Sequence, residues 1–235
     1  MTIMDELRAK RQSHGEAAPS YFHKTKEGQY QAKDVFWEIA TPAIRDILKR
    51  HDRADEAEIE ELLQSEIHEA RTCALALLTR RYRSGDREAK QRIFQYYLSR
   101  LDRVNGWDLV DISCPDIVGG WILETGQEAI LDELAQSPDL WRRRVAIVST
   151  LKLIQNGIFD TTYRIVEKLS DDKEDLIHKA CGWMLRETGK RDRTRLNRFL
   201  RDQYAFLPRT TLRYAIERHE PAQRQEILKG IFRED

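Results

Sequence analysis

Residues that interrupt helices are scarce in this 235-residue chain, which holds 11 glycines and 6 prolines. No segment alternates apolar and polar residues cleanly enough to read as a half-buried strand. The three cysteines, Cys73, Cys114 and Cys181, are isolated, so a disulfide framework or a thiolate metal site is not indicated. They read as small buried hydrophobes. The longest uncharged stretch falls far short of the ~20 apolar residues of a membrane-spanning helix. The opening MTIMDELRAKRQ is too charged for a signal peptide, and a cytoplasmic protein is expected, nucleoid-associated when bound to DNA. His14, His23, His51, His68, His178 and His219 show no ligand-like spacing, and His68 beside Glu69 lacks the second histidine of a zinc-protease helix. A Gly-rich phosphate loop and a nucleophile elbow are both missing. Neither a metal nor a cofactor is therefore expected.

What fills the chain is Leu, Ala, Glu, Arg, Ile and Lys, all but Ile being strong helix formers. The pattern predicts helices at about 5–12, from Thr41 (as N-cap, with Pro42 in the first turn), and at 55–64, 66–83, 86–102, 105–112 and 114–125. Others are predicted at 127–136, 138–155, 159–169, 173–188, 190–204, 208–218 and 221–232. Laid in phase, RTCALALL from Arg71, RVAIVSTL from Arg144, KACGWMLR from Lys179 and RYAIER from Arg213 each begin with a base and continue with small and aliphatic residues. The last three begin 35 and 34 residues apart, and the first two are separated by 73, two periods. This is the grammar of an all-α, HEAT-like or armadillo-type superhelical solenoid, in which antiparallel helix pairs stack around a concave face. A globular helical bundle also accommodates the pattern. One domain over 1–235 is expected, with 1–40 forming N-terminal helices and a loop that cap the solenoid.

Charge is balanced overall, 40 basic against 40 acidic residues, but unevenly distributed. Asp52 to Glu69 holds eight acids and one base, whereas Lys179 to Arg218 holds eleven bases and four acids. A basic face that binds a polyanion gives such asymmetry, and so does a solvated helix surface laced with ion pairs. Four residues recur at nearly the repeat period: Trp107 and Asp111 in NGWDLVD, then Arg144 and Trp183, at steps of 37 and 39. Trp107 and Asp111, four apart on one helix, share a face. Taken singly, each has an ordinary reading: a core tryptophan, a capping or surface aspartate, a solvated arginine. Together they form a set suited to a cationic ligand that carries sugar and phosphate.

At these residues the chain resembles the AlkD-like DNA glycosylases of the DNA alkylation repair group. The resemblance runs through YQAKDVFWEIATPAIRDI, SEIHEARTCAL, NGWDLVDISCPDIVG, WRRRVAIV and KACGWMLRETGK. It implies a HEAT-like fold and an active site at Trp107, Asp111, Arg144 and Trp183. It also implies a backbone contact at Lys152 and a bordering aromatic at Tyr30. Lys179 and Arg186, on the same inner-face segment, join the expected DNA contacts. The family usually carries glycine where this sequence has Glu38, and a polar residue sometimes found near the lesion is here Ala40.

The chemistry follows from the substrate the resemblance implies. An N3- or N7-alkylated purine is cationic, so its glycosidic bond is weakened without protonation. An ionised carboxylate near the sugar stabilises the developing oxocarbenium ion and positions water. Indole faces hold cationic and C–H groups, and a guanidinium anchors a flanking phosphate. The expected protein is a monomeric, monofunctional glycosylase acting on double-stranded DNA without lyase activity and without rotating the base into a pocket. The alternative is a non-catalytic helical scaffold for branched or damaged DNA or a protein partner.

Overall fold

The structure, a computed structural model, describes residues 1–14, 34–52 and 54–233. The described residues are all-α: thirteen α-helices and one 3-10 turn, with a single parallel bridge between Val35 and Ile67 in place of any sheet. They fall into two compact units, Met1–Ser113 and Cys114–Asp235.

The first unit holds α1 (Ile3–His14), α2 (Thr41–Arg50), α3 (Glu56–Gln64), α4 (His68–Ser84), α5 (Arg87–Ser99), the 3-10 turn Leu101–Arg103 and the start of α6 (Trp107–Thr125). Helix α4 packs against α1, α2, α3 and α5, which explains its run of small and aliphatic residues. Ala70, Cys73, Ala74, Leu75 and Leu77 are buried along it, so the helix is apolar around most of its circumference. Helix α1 contributes Ile3 and Leu7 to this core and pairs its buried Glu6 with Arg50 and His51 at the end of α2. Aspartates cap α3 and α5: Asp55 accepts from the Glu58 amide and Asp86 from the Ala89 amide, both at 2.8 Å. Helix α2 begins one residue earlier than the capping pattern predicts. Thr41 is its first residue, and Ala40 stands at the N-cap without a side-chain bond.

Residues 34–40 run extended across the start of α4. The Val35 amide donates to the Glu66 carbonyl at 3.1 Å, and the His68 amide to the Val35 carbonyl at 2.9 Å. The Glu69 carboxylate, on a buried residue, receives the amides of Trp37 at 3.0 Å and Ile39 at 3.2 Å. Between those two amides Glu38 takes a left-handed backbone with φ 56°. That conformation suits glycine and costs a side-chain-bearing residue about 1–2 kcal/mol.

The second unit carries the rest of α6, then α7 (Ala129–Ala135), α8 (Leu140–Gln155), α9 (Asp160–Lys168), α10 (Asp175–Gly189), α11 (Arg193–Gln203), α12 (Arg209–Ala215) and α13 (Pro221–Leu228). Helix α8 packs on α10 and α10 on α12, while α7 and α9 lie on α8, and α9 and α11 on α10. Stacked helix pairs therefore succeed one another with the period legible in the sequence. Two glycines set the spacing of the stack. A Cβ on Gly119 of α6 would lie 2.2 Å from the Ser149 carbonyl oxygen, and one on Gly182 of α10 would lie 2.6 Å from that of Thr211.

One predicted boundary is corrected. The helices predicted at 105–112 and 114–125 form the single helix α6 (Trp107–Thr125), with Pro115 inside it. Proline removes one rung of the ladder, the one that would join residues 115 and 111. Burial of Leu109, Val110, Cys114, Ile117 and Val118 on both sides of the proline keeps the helix continuous.

Candidate active site

Trp107 opens α6 and Asp111 lies one turn further on, both half-buried. Their four-residue spacing puts indole and carboxylate on one helical face. Asp108 sits between them in the chain and turns to a different task. Its Oδ2 meets Nε2 of His68 at 2.7 Å, and Nδ1 of the same ring meets Oδ2 of Asp34 at 3.1 Å. Asp34 also lies 2.8 Å from Nη2 of Arg71 and accepts from the Asn105 amide group at 2.9 Å. Phe36 stacks on the imidazole at 4.5 Å. Arg71 donates through Nη1 to the Ser65 carbonyl at 2.9 Å.

This network lies almost entirely out of water: the side chains of Asp34, His68 and Arg71 are each 3% exposed. Burial pulls the His68 pKa down, but the bonds to Asp108 and Asp34 outweigh it and lift the value to about 9. Burial raises the Asp34 carboxyl, and His68, Arg71 and Asn105 together bring it below its ordinary value. The imidazole is therefore charged at neutral pH. It ties the extended segment 34–40 and the start of α4 to the first turn of α6, which carries Trp107 and Asp111. Composition and spacing did not reveal this cluster. The local signal was His68 and Arg71 three apart, on one face of a helix, in SEIHEAR.

In the second unit, Trp183 is half-buried on α10, and Lys179, Trp183 and Arg186 share a face at intervals of four and three. Arg144, in the first turns of α8, is 5% exposed and donates through Nη1 to the Leu176 carbonyl at 2.8 Å, reaching the start of α10. The other three cations expected to meet phosphate already have carboxylate partners: Lys152 on Asp116 at 2.9 Å, Lys179 on Asp175 at 2.7 Å, and Arg186 on Glu217. Of the three tryptophans that read from the sequence as core or boundary residues, Trp121 and Trp141 are buried at 5% and 7% exposure and Trp37 is half-buried. The three cysteines are likewise buried. Tyr30 lies outside the described residues.

Among the described residues, three or more His, Cys, Asp or Glu side chains are nowhere grouped as a metal site, and none of the helices is long and apolar enough to cross a membrane. No curated protein matches the chain. Among solved structures, a chain described as a predicted DNA alkylation repair enzyme from Enterococcus faecalis aligns with a TM-score of 0.66 at 20% identity, over 82% of this chain and 92% of that one. At that identity the likeness concerns the fold. The family model for DNA alkylation repair enzyme matches residues 3–219. Matched over nearly its whole length, the chain belongs to the DNA alkylation repair enzyme family.

Proposed function

We propose that the protein is a monofunctional DNA glycosylase that hydrolyses the N-glycosidic bond of cationic N3- and N7-alkylated purines in duplex DNA. The observation that carries this reading is the start of α6, where an indole and a carboxylate share one face and the helix is anchored by a buried ionic network. In the proposed reaction the bond from C1′ to N9 of the alkylated purine breaks. Its electron pair leaves with the base, which departs neutral. The ionised Asp111 carboxylate stabilises the positive charge left on the sugar and accepts a proton from the water that adds to C1′. Trp107 and Trp183 offer π faces to the cationic sugar and base. Arg144, Lys152, Lys179 and Arg186 contact backbone phosphates and set register.

Lyase chemistry requires an unprotonated amine to attack C1′. Lys152 and Lys179 each hold a carboxylate, which supports a phosphate-binding role for them and a glycosylase without strand cleavage. With the lesion engaged through its sugar and backbone, the base stays largely in the duplex. We place the chain in one HEAT-like domain that works as a monomer.

The test is single-turnover release of N7-methylguanine or N3-methyladenine from duplex DNA. Wild type is expected to release the base. Asp111→Asn is expected to lose release by about 100-fold or more, the scale of removing a charge-stabilising group, with DNA affinity equal or tighter. No release by either protein, with tight DNA binding retained, would establish a scaffold instead.

A further inference from the structure

We infer that His68 is a positioning residue for Asp111: as a buried imidazolium clamped between Asp34 and Asp108, it fixes the first turn of α6 and neutralises the carboxylate one helical turn from Asp111. The inference rests on the reading of Asp111 as the reacting carboxylate.

The geometry requires a doubly protonated ring. A neutral imidazole has one N–H and one lone pair, and an ionised carboxylate only accepts hydrogen bonds. With both ring nitrogens on carboxylate oxygens, at 2.7 and 3.1 Å, a neutral His68 would set a lone pair against one of them. Phe36 covers the ring, and at 3% exposure little water can relieve such a conflict. Each element around the ring contributes charge. The extended segment brings Asp34, and α4 brings Arg71 and Glu69, whose carboxylate is held by the Trp37 and Ile39 amides. The 3-10 turn brings Arg103, which acts on Arg71, and α6 brings Asp108 and, one turn on, Asp111. Asp34, Arg71, His68 and Asp108 sum to zero while His68 is protonated. Loss of that proton leaves one buried negative charge.

That balance bears on the chemistry proposed for Asp111. Residues three apart on a helix are side-chain neighbours, with Cβ atoms roughly 5–6 Å apart. A carboxylate at 108 without its imidazolium would oppose ionisation of Asp111. It would also offer the sugar cation a second, misplaced attractor. His68 thus confines the negative charge of this helix turn to Asp111 and holds the turn that presents it.

Three variants measured beside wild type test this. Nitrogen-15 spectra of His68 at neutral pH are expected to show two ring N–H protons. In His68→Gln, carbon-13 detection of the Asp111 carboxyl is expected to show titration about half a pH unit or more above wild type. The acid limb of single-turnover excision should move the same way, with DNA affinity within about twofold. His68→Gln combined with Asp108→Asn removes the stranded charge and should return both readouts towards wild type. One ring N–H, an unmoved Asp111 titration in His68→Gln, or no return in the double variant would overturn the inference. Should His68→Gln not fold, Asp108→Asn alone decides: it keeps an oxygen facing the ring and should not raise the Asp111 titration, and a rise overturns the proposal. If wild type releases no base, the glycosylase reading fails, while the carboxyl and ring spectra still judge the His68 inference.

Discussion

His68 and Glu38 show how single residues in this protein depend on what surrounds them. An isolated histidine releases its proton near pH 6.5, whereas His68 in the folded chain keeps it to about pH 9. Its stabilising contribution is therefore complete below about pH 6.5 and is lost as pH rises through about 9. Urea unfolding midpoints are expected to fall across that window in wild type and to flatten in a folded His68→Gln variant. Glu38 is the opposite case, a residue whose backbone opposes its side chain. At φ 56°, between two amides tied to Glu69, it occupies the position where the resembling family usually carries glycine. Glu38→Gly should stabilise the chain by about 1 kcal/mol, less what the added freedom of the unfolded state removes. A lower urea midpoint in Glu38→Gly would show that the side chain compensates for the strain.

Among the elements, the stacked helices of the second unit depend on glycines at the points of closest approach. The neighbour that a Cβ on Gly119 would meet is a backbone carbonyl, which cannot swing aside as a flexible side chain can. Gly119→Ala should cost about 1–3 kcal/mol, read from chemical denaturation, even though alanine is the better helix former. Pro115 predicts a break in helix α6, because proline usually ends a helix. The helix continues because its apolar residues on both sides of Pro115 are buried, and burial outweighs one missing rung. The other helices were legible to within a few residues, since composition, aspartate caps and short Gly- or Pro-marked connections all agree on them.

For the whole molecule, 40 basic residues stand against 40 acidic ones, and many of those among the described residues are paired. The excess of bases between Lys179 and Arg218 fits either a polyanion-binding face or a helix surface laced with ion pairs, and Lys179 and Arg186 each have a carboxylate partner, as does Lys152. On the proposed phosphate-binding role of these cations, DNA has to displace Asp116, Asp175 and Glu217, so binding of undamaged DNA should show a shallower salt dependence than the cations would give unpaired. Asp116→Asn with Glu217→Gln is expected to tighten binding of undamaged duplex by roughly up to fivefold per pair and to steepen that dependence. Fluorescence anisotropy across a salt series reads both. Unchanged affinity and slope would show that the carboxylates do not compete with phosphate.

The sequence by itself determined the all-α class, the repeat of about 35 residues and the shared face of Trp107 and Asp111, because helix propensity, apolar periodicity and i,i+4 spacing are local properties of a chain. It also marked the cysteines as buried and Trp37, Trp121 and Trp141 as core or boundary residues. Only the tertiary structure decided what the charges do. Arg71 and Arg144, each a base at the head of a repeat segment, are buried and bonded to backbone carbonyls. Asp34 and Asp108 stand 34 and 40 residues from His68 in sequence, and folding brings both onto one ring. Charge interactions depend on distance and burial, and for groups so far apart along the chain both are set by packing.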